Sequence, residues 1–186
     1  MGGPTLFHAH SRQPALIAAS RRTAWTAFGL WLLLAAAVFG TPPYAAVGAR
    51  AGGRGLLEER FGFDEAARQA FAAAERPYLD YAWFQVGDAA MVAALAVWTS
   101  ALIAGAGWTR LVALPLALAG VEATENAALL VAVYAESGGP TAGIIASGVA
   151  PVKAVLFAAV ILTALAAAVR RRRPGKVRLS IPPETP

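Results

Sequence analysis

The sequence predicts an all-α fold: a polytopic membrane protein built as a four-transmembrane-helix bundle, with an amphipathic helix in its long first loop. Three observations predict it. Hydrophobic residues make up 58% of the 186 residues, charged residues only 15%, and the mean hydropathy is +0.54, a balance foreign to soluble domains. The apolar residues collect in four runs, each close to or beyond the roughly 20 residues that cross a bilayer as a helix. Most Lys and Arg flank those runs instead of forming a patch on a folded surface, so the pI near 10.2 speaks of membrane orientation and no nucleic-acid partner is expected. With no cysteine in the chain, a disulfide framework, a thiol nucleophile and a Cys-based zinc site are excluded.

The elements follow in order. Residues 1–22 read as a basic cytoplasmic tail, in which His8 and His10 are too few ligands for a metal site. The first span, 23–40 (TAWTAFGLWLLLAAAVFG), has an apolar part longer than a signal-peptide core and reads as an uncleaved helix. The outer loop, 41–81, starts coil-like (TPPYAAVGARAGGRG). It then offers Phe63, Ala67, Phe71 and Ala74 at helical spacing, opposite Glu65, Arg68 and Gln69, with Asp64 placed to cap and Pro77 to end the helix. Such a helix suits the membrane interface, a lid over the bundle or a connector packed on its rim. Spans two to four are 82–104, 111–135 and 143–169, so that 23–169 forms one transmembrane domain; 170–186 (RRRRPGKVRLSIPPETP) is a basic, disordered cytoplasmic tail able to attract anionic lipid head groups.

Orientation follows from charge. Ten Lys and Arg lie in the two tails and the second connection, against five in the first loop, where six acids dilute them. The positive-inside rule then puts both termini in the cytoplasm. Trp25, Trp83, Trp108 and Tyr134 fall near span ends, where amphipathic rings favour the interface.

The stretch AGVEATENAALL, inside the third span, is the chemistry-bearing feature. Ionisable groups within a span cost about 2.5–3.5 kcal/mol each on insertion scales and face the bundle interior, paired or hydrated. Four occur here, Asp88, Glu122, Glu125 and Lys153, accompanied by Gln85 and Asn126. Glu122, Glu125 and Asn126 share one helix face, as do Gln85 and Asp88. Counted from Tyr81, Tyr134 and Gly143 at about 1.5 Å per residue, Asp88, Glu122, Glu125, Asn126 and Lys153 fall at roughly 10–18 Å from the outer ends, which predicts one buried polar cluster in the outer half of the bundle. Three carboxylates against one ammonium require a bound proton, water or a cation. Pro151 removes a helix hydrogen bond near Lys153 and predicts space beside it.

The stretches ERPYLDYAWFQVGD, LAGVEATENAALL and GVAPVKAVLF, together with FGFDEAARQAF, resemble a group of uncharacterised bacterial four-span integral membrane proteins with a D-x-x-E-N motif in the third span. The likeness covers residues 61–165. Glu122 stands where the group usually has aspartate, which keeps the charge on a longer arm. The resemblance implies the bacterial inner membrane and the same site, without a chemistry. The residues themselves support an interhelical polar network that doubles as a small-ligand, ion or proton site. Two alternatives stand beside it: an enzyme acting on a lipid or isoprenoid-like substrate by carboxyl acid/base chemistry, and an accessory subunit of a membrane complex. Expected partners are membrane lipids, a small apolar or cationic ligand, and further copies or a complex packed through small residues such as Gly105, Gly107 and Gly120. No cofactor or metal is expected.

Overall fold

The computed structural model describes residues 13–40, 42–52, 56–57 and 62–172. Among these, six α-helices form and no strand does: α1 (Gln13–Phe39), α2 (Pro42–Arg50), α3 (Glu65–Glu75), α4 (Asp80–Gly105), α5 (Ala113–Tyr134) and α6 (Gly139–Arg172), with a 3-10 turn at Thr109–Val112 leading into α5. Among the described residues, four stretches are long and apolar enough to cross a membrane: Arg21–Phe39, Asp80–Gly105, Thr109–Tyr134 and Gly139–Arg171. Their boundaries have local causes. After α4, Gly107 takes a positive φ of 83° and reverses the chain, a conformation that costs glycine nothing. After α5, Ala135 is extended and Gly138 again has φ 83°, so α6 starts at once.

Several boundaries differ from the sequence expectation. Helix α1 starts ten residues before 23, and α6 begins at Gly139 and runs through Pro151 to Arg172. Alanine and arginine favour helix, so residues 170–172 continue the fourth helix in place of a disordered tail. The start of the first loop, expected as coil, forms α2: its prolines occupy the first turn, where a missing N–H costs nothing, and Val47 is fully buried. His8, His10, Arg12, Arg54, Arg60 and residues 173–186 lie outside the described residues.

Helix α4 is the hub. It packs along α1 and touches α5, α6 and α2, while α5 and α6 pair closely. Gly87 lets α1 come near, since a Cβ there would lie 2.7 Å from Val38 Cγ2. Two apolar cores result. One gathers Phe84, Leu129 and Val133 of the long helices with Val47, Leu56, Leu57 and Phe71 of the loop segment. The other joins Leu95, Leu118 and Val160, flanked by Trp31 and Trp98.

Helix α3 forms where expected, and Asp64 caps it, accepting from the Ala67 N–H at 2.7 Å. Its buried face is not the expected one. Arg68, Phe71, Ala72 and Glu75 are buried, so Arg68, read as part of the outward polar face, points inward. The reason is electrostatic. Arg68 Nη1 donates to Ala132 O at 2.5 Å, and Arg76 donates to Val133 O at 2.9 Å and Ala135 O at 3.3 Å. These carbonyls end α5 without intrahelical donors, and cations there contribute about 0.3–1 kcal/mol each. Glu65 grips Arg68 at 2.6–2.7 Å; those hydrogen bonds hold the Glu65 carboxyl well below its usual range, at about 2, and push the Arg68 guanidinium up. Phe71 meets Tyr81 edge-on at 4.9 Å, and the Tyr134 hydroxyl donates to Tyr78 O at 3.0 Å. The loop is therefore docked on the bundle end.

Glu75 completes the docking. Its side chain is 0% exposed, and Arg50 of α2 grips it with two bonds of 2.8 Å while reaching Asp80 at 2.9 Å. The Glu75 hydrogen bonds, with Asp80 behind them, raise the Arg50 guanidinium further. Replacing Arg50 with Met strands a buried carboxylate, and we expect a loss of about 3 kcal/mol, the low end for a buried pair because Arg50 is partly exposed. Denaturation in detergent measures it; Arg50→Met with Glu75→Leu should recover more than half of the loss, and a double variant as unstable as the single would refute the pairing.

Candidate functional site

The polar residues of α4, α5 and α6 meet at one level. Helix spacing puts Glu122, Glu125 and Asn126 on the same side of α5, where they are 6%, 1% and 6% exposed. Lys153 of α6 donates to Glu122 Oε1 at 3.3 Å and forms an ion pair with Glu125 Oε2, so one ammonium clamps both glutamates across the α5–α6 interface. On the other side, Asn126 Nδ2 donates to Asp88 Oδ2 at 3.1 Å and to the backbone oxygen of Gln85 at 3.4 Å. Asn126 therefore ties α5 to α4. The Gln85 side chain is buried behind this contact. All six sequence-selected residues thus lie in one layer joining three helices.

The layer has a dry side and an open side. Glu125, Asn126 and Gln85 are its buried back. Asp88, Glu122 and Lys153 line a cavity of about 340 Å³ between α4, α5 and α6. The carboxyls of Asp88 and Glu122 are neighbours within hydrogen-bonding range, whereas Glu122 and Glu125 are each turned onto Lys153. Below the polar groups the walls are apolar, from Met91, Leu95, Leu118, Ala154 and Phe157 among others. A site of this kind presents a small charged patch above a greasy floor, the usual composition of a ligand pocket. Among the described residues, no group of three or more His, Cys, Asp or Glu side chains is placed to hold a metal ion.

No family model, no curated protein and no solved structure matches this chain. The site therefore stands on its own geometry.

Sequence reasoning found the polar groups and missed the walls. The signal for the walls was the helix face already in hand. Asp88, Met91, Val92 and Leu95 are spaced i, i+3, i+4, i+7, and so are Ala150, Lys153, Ala154 and Phe157. Extending each polar face by one turn reads out the cavity lining. Sequence reasoning also missed the Arg50–Glu75 pair, whose partners lie 25 positions apart.

Lys153→Met removes the clamp and leaves two buried carboxyls facing each other. We expect it to cost about 3–5 kcal/mol, as breaking a buried pair does. Lys153→Met combined with Glu125→Gln should lose clearly less than the sum of the single losses in denaturation of the detergent-solubilised protein; strict additivity would mean that the two groups do not interact.

Proposed function

We propose that this chain is a multi-pass protein of a bacterial inner membrane, with both termini cytoplasmic, whose polar layer ties α4 to α5 and α6 and also binds a small amphiphile with a cationic head. One observation carries this reading: the open side of the layer is a cavity with Asp88, Glu122 and Lys153 at its polar end and apolar walls below. A purely structural network would bury all its members against one another. Here Lys153 is already shared by two glutamates, so the charge presented to the cavity beside it is carboxylate. An amine entering head first would offset the surplus of acids, and its tail would cover the apolar walls. The volume lies at the small end of ligand pockets, which suits a short-chain amine over a sterol-sized molecule. The likeness of EATEN to D-x-x-E-N supports the same layer as the family's site.

Octylamine, octanol and octanoate separate head-group chemistry from apolar bulk. Octylamine should raise the melting temperature of the purified protein more than octanol does, and octanoate should not raise it. Asp88→Asn should weaken octylamine binding about thirtyfold, the effect of losing roughly 2 kcal/mol of a desolvated charge contact. Equal shifts from amine and alcohol, or an amine shift untouched by Asp88→Asn, would remove the basis for a cation site.

Orientation is tested separately. Ser137 is exposed in the connection between α5 and α6, and the chain has no native cysteine. A Ser137→Cys variant should react with a membrane-impermeant maleimide added to intact spheroplasts; reaction in inverted vesicles alone would reverse the topology.

A further inference from the structure

The end of the bundle remote from α3 carries a second cavity. It measures about 490 Å³ and lies between the middle of α1, the end of α4 and the end of α6. Arg21 and Arg171 stand at its polar side, and Trp25, Phe28, Trp98 and Leu102 form its apolar side. The aromatic wall is continuous. Trp25 meets Phe28 at 6.1 Å, and Phe28 meets Trp98 at 4.7 Å, joining α1 to α4. Trp25 is 65% exposed, so the wall opens sideways, towards the surface that the apolar helices present.

Among the described residues, charge at this end has one sign. Arg21, Arg22, Arg110, Arg170 and Arg171 gather here by the connectivity of the helices, while every described Asp and Glu lies in the polar layer or at the α3 end. The Arg171 guanidinium packs so closely on Gly105 that a Cβ there would collide with it. Arg170 sits over the Trp108 ring at 5.4 Å. Such a site suits an anion with a tail. A free inorganic anion would engage the two guanidinium groups and leave the tryptophan wall unused. A lipid engages both, because basic pockets between membrane helices bind anionic head groups, and Trp belongs at the head-group level. Phosphate also takes the guanidinium fork in two parallel hydrogen bonds.

We propose that this crevice is a binding site for an anionic phospholipid, with its phosphate between Arg21 and Arg171 and its upper acyl chain along Trp25, Phe28 and Trp98. The proposal rests on the chain spanning a membrane and is independent of amine binding at the polar layer; octylamine selectivity can fail with lipid retention intact.

The test is native mass spectrometry of the full chain in neutral detergent, titrated with phosphatidylglycerol or with phosphatidylcholine of the same chains. One phosphatidylglycerol should be retained per chain, and phosphatidylcholine should be retained far less. Arg21→Gln should weaken retention about fivefold, as expected for one arginine at a membrane surface, and Arg21→Gln with Arg171→Gln should weaken it further. Arg22→Gln, the same charge change outside the crevice, should have a clearly smaller effect. If Arg171→Gln proves too unstable to purify, Arg21→Gln against Arg22→Gln decides alone, since both side chains are exposed. Three results would overturn the site: equal retention of the two lipids, equal loss in Arg21→Gln and Arg22→Gln, or binding of inorganic phosphate with no retention of phosphatidylglycerol.

Discussion

One ammonium group, that of Lys153, governs how α5 and α6 meet. Carboxyls placed inside an apolar bundle are tolerated only when something charged or hydrogen-bonding faces them. Glu122 and Glu125 face α6 because Lys153 is there, and that choice fixes the rotation of α5. Once α5 is fixed, Asn126 points to α4 and finds Asp88. Leu118 then falls into the core with Leu95 and Val160. The polar layer thus sets the register that apolar packing fills. The direction of this dependence matters, since small and branched apolar side chains slide past one another at little cost whereas a misplaced carboxyl costs kilocalories.

The two ends of the bundle solve different problems. At one end, α2 and α3 cover the helix termini with mixed charges: Arg68 and Arg76 satisfy the last carbonyls of α5, and Arg50 bridges Glu75 and Asp80. Three arginines stand there among five described carboxylates. At the other end the described charges are all arginine, and aromatic rings stand beside them. Between the ends, the polar layer carries a further acid excess. Charge therefore changes sign along the helix axes, from acidic at the α3 end and in the polar layer to basic at the far end.

What could be read from sequence follows from the size of each effect. Four long helices were legible because long apolar runs are rare in soluble chains. The members of the polar layer were legible because a buried charge is so costly that its position is itself a signal. The inward face of α3 was not. Arg68 and Glu75 look solvent-facing in a helical wheel, and their partners, Ala132 O and Arg50, are 64 and 25 positions away. Helix α2 was hidden by its proline and glycine content, which reads as coil until Val47 and Tyr44 find the core. The cavity was not legible as a shape, because its volume depends on how far α4 and α6 diverge around α5.

The capping of α5 also has a consequence for biosynthesis. Arg68 and Arg76 precede the carbonyls they satisfy by 64 and 57 residues. A chain is made from its N-terminus, so α3 and its arginines have left the ribosome before the end of α5 exists. The last turn of α5 emerges to meet donors that are already made. The helical hairpin of α5 and α6 is thus assembled onto a docking edge completed earlier in translation, and a ribosome stalled before residue 132 would hold an α3 whose arginines still lack their backbone acceptors.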